Sequence, residues 1–155
     1  MADSERWFRK NTDLEFMKRR GESFLPGLLG FEVLSVGPGL LFSALNIRPD
    51  LIAPNGYLHA ATIVALADTS SGYGCLAHLP EGAAGFTTIE LKTNFLGTAT
   101  RGRLNCSATP AHLGRTTQVW DATIYVEGGA DKPLALFRCT QMVLWPKTGG
   151  DQGGG

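Results

Sequence analysis

The chain has 155 residues, with fourteen Lys and Arg against fourteen Asp and Glu, 43% hydrophobic and 18% charged residues. That size and composition suit one domain with a packed core, and the zero formal charge disfavours nucleic-acid binding through a bulk positive field. No apolar run approaches the roughly 20 residues of a membrane span, the N-terminus holds no apolar segment of signal-peptide length, and three scattered cysteines, Cys75, Cys106 and Cys139, suggest reduced core thiols of a cytoplasmic protein and not a disulfide frame or a zinc site.

Residues 1–29 read as an N-terminal helical segment. Trp7, Phe8, Leu14, Phe16 and Met17 give residues 1–20 the pattern of a short amphipathic helix. Lys18, Arg19 and Arg20 form its solvated end, and Gly21, Pro26 and Gly27 punctuate the start of the domain proper, residues 30–146. Phe31–Val36 and Leu40–Ile47, joined by Gly37-Pro38-Gly39, predict a hairpin. Arg48–Tyr57 is rich in turn formers. Leu58–Leu79 is long and Ala-rich, with apolar or small residues on every side, the mark of a buried helix; Gly72 and Gly74 each weaken it by about 1 kcal/mol against Ala. Four further strands are predicted at Phe86–Phe95, Arg103–His112, Thr116–Val126 and Pro133–Trp145, rich in β-forming residues. The Gly-rich tail, residues 147–155, is expected to be disordered. The fold class is α+β: an antiparallel sheet of about six strands wrapped around one long helix, with a short helix before it. Such a sheet over a single helix leaves apolar surface to cover, so a homo-oligomer is expected.

Between Leu58 and Leu79 the only formally charged side chain is Asp68. A buried carboxylate costs several kcal/mol unless it is paired or protonated, and folds tolerate that mostly where the group works. Its helix face also carries Ala61, Val64, Ala65, Ser71, Gly72 and Cys75, nearly all small, so a substrate or another backbone could come close. Burial would raise its pKa, suiting a general base or a nucleophile. The alternative is that Asp68 caps a second short helix at Thr69-Ser70-Ser71. Ahead of it, Asn55-Gly56-Tyr57-Leu58-His59-Ala60-Ala61 leads into the helix, whose first N–H groups can hold a developing oxyanion. His59 stands nine residues before Asp68, about 180° round the helix, so the two side chains of one subunit cannot form an acid–base pair, and His59 reads as an anchor or a shuttle. Gly114-Arg115-Thr116 could grip phosphate or be a plain hairpin turn. Ser70 and Ser71 lack a nucleophile-elbow sequence.

Gly56-x-x-His59-Ala60-Ala61 followed by Leu66-Ala67-Asp68-Thr69, then Asn94-Phe95-Leu96 and Gly114-Arg115-Thr116, resembles the hotdog-fold acyl-CoA thioesterases of the phenylacetate-degradation and 4-hydroxybenzoyl-CoA thioesterase type, over roughly residues 28–146. The resemblance implies Asp68 as the catalytic carboxylate, the backbone N–H of Ala60 and Ala61 on the thioester carbonyl, His59 shaping the helix start, and Thr88 positioning water from a partner subunit. Gly56, Ser71 and Gly72, with Gly114, Arg115 and Thr116, would bind substrate and CoA. It implies an aryl or medium-chain acyl-CoA substrate, no cofactor beyond the CoA of that substrate, no metal, and a homodimer or dimer of dimers with the active site at the subunit interface. Nucleic acid and membrane partners are not expected. The sequence departs from the family where Ala60 and Ala61 replace two glycines, where Ala53 replaces an Asn or Gln that Asn55 could substitute for, and where Gly72 replaces a Thr. A non-catalytic acyl-CoA-binding protein is the second reading. A hydratase or dehydratase is the third, disfavoured because His59, His78 and His112 form no evident dyad with Asp68.

Overall fold

The computed structural model describes residues 2–147, with side chains from Ser4 onward; residues 148–155 of the expected tail lie outside them. The N-terminal helical segment is present but split into three: α1 (Ala2–Trp7), α2 (Leu14–Arg20) and α3 (Leu25–Leu29). The single helix expected over residues 1–20 breaks because Asp13 starts a new one, its carboxylate accepting from the Phe16 N–H at 2.8 Å, an N-cap of ordinary kind. Tertiary bonding holds the break open: the Arg9 N–H donates to the Ala77 carbonyl at 2.8 Å. The segment joins the main core through Met17, which is fully buried.

The strands are β1 (Glu32–Gly37), β2 (Leu40–Asn46), β3 (Gly85–Phe95), β4 (Arg103–Leu113), β5 (Thr117–Val126) and β6 (Ala135–Leu144), and α4 (Ala60–Ala77) runs between β2 and β3. They form one antiparallel sheet in the order β1-β2-β4-β5-β6-β3, wrapped around α4 as the hotdog arrangement requires. Burial alternates along β6: Ala135, Phe137, Cys139, Gln141 and Val143 face inward, and Leu136, Arg138, Met142 and Leu144 face out. Trp120 of β5 is the largest fully buried side chain, and it explains Gly74. A Cβ there would stand 2.5 Å from the indole ring, so the helical cost of that glycine accompanies a close helix–sheet approach.

The helix is buried on every side only in its second half. Ser70 through Ala77, and on to Pro80, are all buried. Ala60 and Ala61 are exposed, and Val64, Ala65, Asp68 and Thr69 are half-buried. The sheet is open on the same flank. β3 pairs only with β6, and its outer edge is free. Leu91 lies opposite buried Cys139, and Phe95 opposite buried Ala135, so both stand on the helix-facing side of the sheet. They are nevertheless 42% and 47% exposed. The surplus apolar sheet surface expected from the sequence is therefore present, and it sits at β3. Among the described residues no helix is long and apolar enough to cross a membrane.

Candidate functional site

The segment before α4 is fixed by its backbone. Ile52 and Leu58 bridge, the Ala53 N–H donates to the Tyr57 carbonyl at 2.7 Å, and Gly56 closes the turn at φ +86°, a region that glycine enters without strain. Asn55 serves this turn, its side-chain oxygen accepting from the Tyr57 N–H at 3.2 Å. The Leu58 N–H donates to Ala99 and the His59 N–H to Leu51, which sets the start of α4 against the core.

His59 is the N-cap of α4, and its Nδ1 accepts the Ala61 N–H at 2.9 Å. As the acceptor, Nδ1 is unprotonated, and the ring proton sits on Nε2. Of the two backbone donors proposed from the sequence, Ala61 is thus already engaged. The Ala60 N–H has no acceptor among the described residues. It is an exposed donor at the positive end of an 18-residue helix, where anions and developing oxyanions are favoured.

Asp68 follows eight residues later. α4 is continuous through it, which removes the alternative of a second helix capped at Thr69. Its Oδ1 is buried with no hydrogen-bond partner, and so is the hydroxyl of Ser71. The two lie three apart, on one face, where Ala61, Val64 and Ala65 leave the way open. Burial raises the Asp68 pKa above the usual carboxylate range, and no cation among the described residues lowers it. A carboxylate left without partners, beside open space, is poised to take a proton or attack a carbonyl.

The floor beside it comes from β3 and β6. The Thr88 hydroxyl donates to Gln141 Oε1 at 2.9 Å, and the Gln141 amide donates to Cys139 Sγ at 3.2 Å. Because its proton is committed, Thr88 offers lone pairs at the exposed edge. Burial, opposed by the Gln141 amide and reinforced by the nearby Asp68 charge, pushes the Cys139 thiol up to about 11. Gln141 is fully buried, and sequence reasoning missed it. The signal was present: it is the one amide among the inward positions of β6. Gly72 faces the Phe86 ring, which a Cβ would meet at 3.2 Å. Within the subunit that position is filled by protein.

Gly114, Arg115 and Thr116 lie at the other end of the molecule. They join β4 to β5, and Gln118 just after them donates to the His78 carbonyl at the C-terminal end of α4, at 2.8 Å. The length of α4, about 27 Å, separates them from Ala60. A Cβ at Gly114 would come within 2.7 Å of the Thr117 carbonyl, so the glycine serves the tightness of the turn. The Arg115 guanidinium lies over the Trp145 ring at 4.4 Å.

Residues 55–132 match the family model described as the thioesterase superfamily. The chain is 30% identical over 112 residues to a 1,4-dihydroxy-2-naphthoyl-CoA hydrolase of Listeria monocytogenes, covering 72% of this chain and 89% of that protein. It is 31% identical over 126 residues to the hydrolase of the same name from Escherichia coli, covering 79% and 89%. The solved structure of a thioesterase from Haemophilus influenzae superposes with a TM-score of 0.84 at 26% identity, covering 94% of this chain and 99% of that one.

Proposed function

The chain belongs to the thioesterase superfamily and is a thioester hydrolase; from that premise we propose that it cleaves an aryl or medium-chain acyl-CoA to the free acid and CoA, with Asp68 as base or nucleophile and the Ala60 N–H on the thioester oxygen. The observation that carries this is the pair of unsatisfied groups on one helix: a buried carboxylate oxygen at Asp68 and an unused N–H at Ala60. The two hydrolases above are named for a naphthoyl-CoA, an aryl thioester, which supports the aryl member of the class. In the base form of the reaction, Asp68 takes a proton from water as the water oxygen bonds to the carbonyl carbon. The Ala60 N–H holds the oxyanion, the C–S bond breaks, and the leaving thiolate recovers the proton.

Helix geometry constrains how the two groups cooperate. Eight residues separate them by about 12 Å along α4 and about 80° around it, too far for one carbonyl and its attacking water within a subunit. A second copy resolves this. The free edge of β3 and the apolar Ile89, Leu91 and Phe95 beside it suit pairing with the same edge of another chain. The Ala60 of one subunit then meets the Asp68 of its partner, and Thr88, on that edge, lies where the attacking water is held.

The direct test is thiol release from short, medium, long and aryl acyl-CoAs, measured on wild type and Asp68→Asn after blanking the protein's own cysteines. Turnover on the aryl or medium members that falls about 10²-fold or more in the variant is the expected result. Wild-type turnover by Asp68→Asn would remove Asp68 from the mechanism. Tight CoA binding with no turnover on any member would replace the proposal with a non-catalytic acyl-CoA-binding role.

A further inference from the structure

Two serines follow each other in the buried half of α4, and one of them is left unsatisfied. Ser70 and Ser71 are both fully buried. Ser70 donates to the Leu66 carbonyl four residues back at 2.6 Å, as serines inside helices commonly do, and meets Ser43 at 2.7 Å. The Ser71 hydroxyl has no hydrogen-bond partner, and neither has Asp68 Oδ1, three residues before it. We propose that Ser71 is a positioning residue for the reaction: its hydroxyl, set in place by Cys139 and Gln141, donates to Oδ1 of the Asp68 carboxylate and leaves Oδ2 for the substrate side. This rests on the reading of Asp68 as base or nucleophile given above.

The donors beside this pair run in one direction. The Thr88 hydroxyl donates to Gln141 Oε1 at 2.9 Å, and the Gln141 amide donates to Cys139 Sγ at 3.2 Å. With its sulfur accepting, the Cys139 thiol keeps its own proton to give elsewhere. Burial holds that thiol well above its ordinary range; the Gln141 amide opposes the shift, the Asp68 charge reinforces it, the Ser71 hydroxyl opposes it and the Glu90 charge reinforces it. Cys139 is therefore a neutral thiol at pH 7, with Gln141 on one side and Ser71 and Asp68 on the other. A Cys139 proton offered to the Ser71 oxygen leaves the Ser71 O–H free to turn to Asp68, since a hydroxyl hydrogen rotates to suit its acceptor.

The other titratable groups packed around α4 give the carboxylate no support. Cys139 stands on β6 with Glu90 beyond it on β3, and both are acids. Cys75, one turn after Ser71, is likewise raised by burial, with Cys139 and Arg9 acting on it; Arg9 is held by the carbonyls of Leu79, Pro80 and Ala83. Cys106 of β4 is engaged with Ser70 and Ser43, and His78 is fixed between Gly39 and Gly74. A neutral donor is what remains to hold the charged form of Asp68, and Ser71 is that donor. Folds keep few buried hydroxyls unpaired, because each costs stability. A hydroxyl that bonds the ionised form of its neighbour is unpaired while that neighbour is protonated and satisfied when it works.

An NMR titration of the Asp68 carboxyl carbon in the full chain, assigned by its loss in Asp68→Asn, reads the contact without requiring turnover. In Ser71→Ala the Asp68 pKa should stand about one unit higher than in wild type, the tenfold change that one lost hydrogen bond to a charged group amounts to. The acid limb of kcat/KM for an acyl-CoA should move up by the same amount. In the Asp68→Asn background, Ser71→Ala should change the residual rate by less than about twofold, because it acts through Asp68. An unmoved Asp68 titration, or an acid limb that stays in place while Asp68→Asn is inactive, would overturn the proposal and leave Asp68 as the working carboxylate. A shifted titration in a protein whose turnover survives Asp68→Asn would uphold the contact and reject the catalytic reading of Asp68.

Discussion

In the second half of α4, Ser70 to Ala77 are buried and the polar groups there are almost all matched. Ser70 donates to the Leu66 carbonyl and shares a hydrogen bond with Ser43. His78, just beyond, is fully buried between the Phe8 and Trp120 rings. Its Nε2 accepts the Gly39 N–H at 2.8 Å, so the ring proton sits on Nδ1, which donates to the Gly74 carbonyl at 2.8 Å. In the first half, Ala60 keeps an unused N–H and Asp68 a buried oxygen without a partner. The two histidines mark the contrast: His59 caps the open end from solvent, and His78 is locked inside the closed one. Satisfied burial builds stability, and unsatisfied groups beside open space cost stability and provide chemistry.

Substitutions in the two halves should therefore separate activity from stability. The largest effect is expected at Asp68. Asp68→Asn should lower kcat by about 10²-fold or more and raise Tm at pH 7. The sign follows from the raised folded-state pKa: stability from this group is fully present below its unfolded pKa and lost as pH rises through the folded one, so at neutral pH the charge is a burden that the amide removes. Thermal unfolding of both proteins across pH 4 to 8 checks it; a variant that is active or less stable at pH 7 breaks the comparison. The reverse pattern is expected at Gly74. Gly74→Ala drives a Cβ against Trp120 and should cost about 1–3 kcal/mol by denaturant titration, with kcat of the folded fraction unchanged within about twofold.

Smaller effects sharpen the contrast. His59→Ala removes the cap on the Ala61 N–H and should cost about 1 kcal/mol in the same titration. His78 should show itself only as a slope. Burial lowers its pKa below the ordinary 6.5. The unfolded chain therefore takes up a proton first, and stability falls as pH drops from about 6.5 towards the folded-state pKa. Replacing His78 with Gln should flatten that slope between pH 6.5 and 5; an identical slope would place its origin elsewhere.

The sequence revealed most of the fold because the segments of β3 to β6 are rich in β-forming residues set off by turns, and because Leu58–Leu79 is too long and too Ala-rich for a strand. Asp68 stood out as a lone charge in an apolar helix, and His59 at its start. Other features depend on what lies across from a residue. The openness of Ala61 to Asp68 arises because the sheet covers one half of α4, which no pattern along the helix encodes. The break after Trp7 is held open by the Arg9–Ala77 bond, between segments far apart in the chain. Gln141 was visible only once the inward face of β6 was known.

One active site is proposed to draw its N–H and its carboxylate from different subunits. Ala60→Pro deletes the N–H at the first helical position, where proline is tolerated, and His59 already has the extended backbone, φ −66° and ψ 134°, that precedes a proline without strain. Ala60→Pro and Asp68→Asn, each expected to be impaired about 10²-fold, should be unfolded together, refolded as a mixture, and assayed for thiol release. Mixed dimers hold one intact site, so the mixture should regain about a quarter of wild-type activity. A mixture no more active than the average of its two components would contradict a shared site.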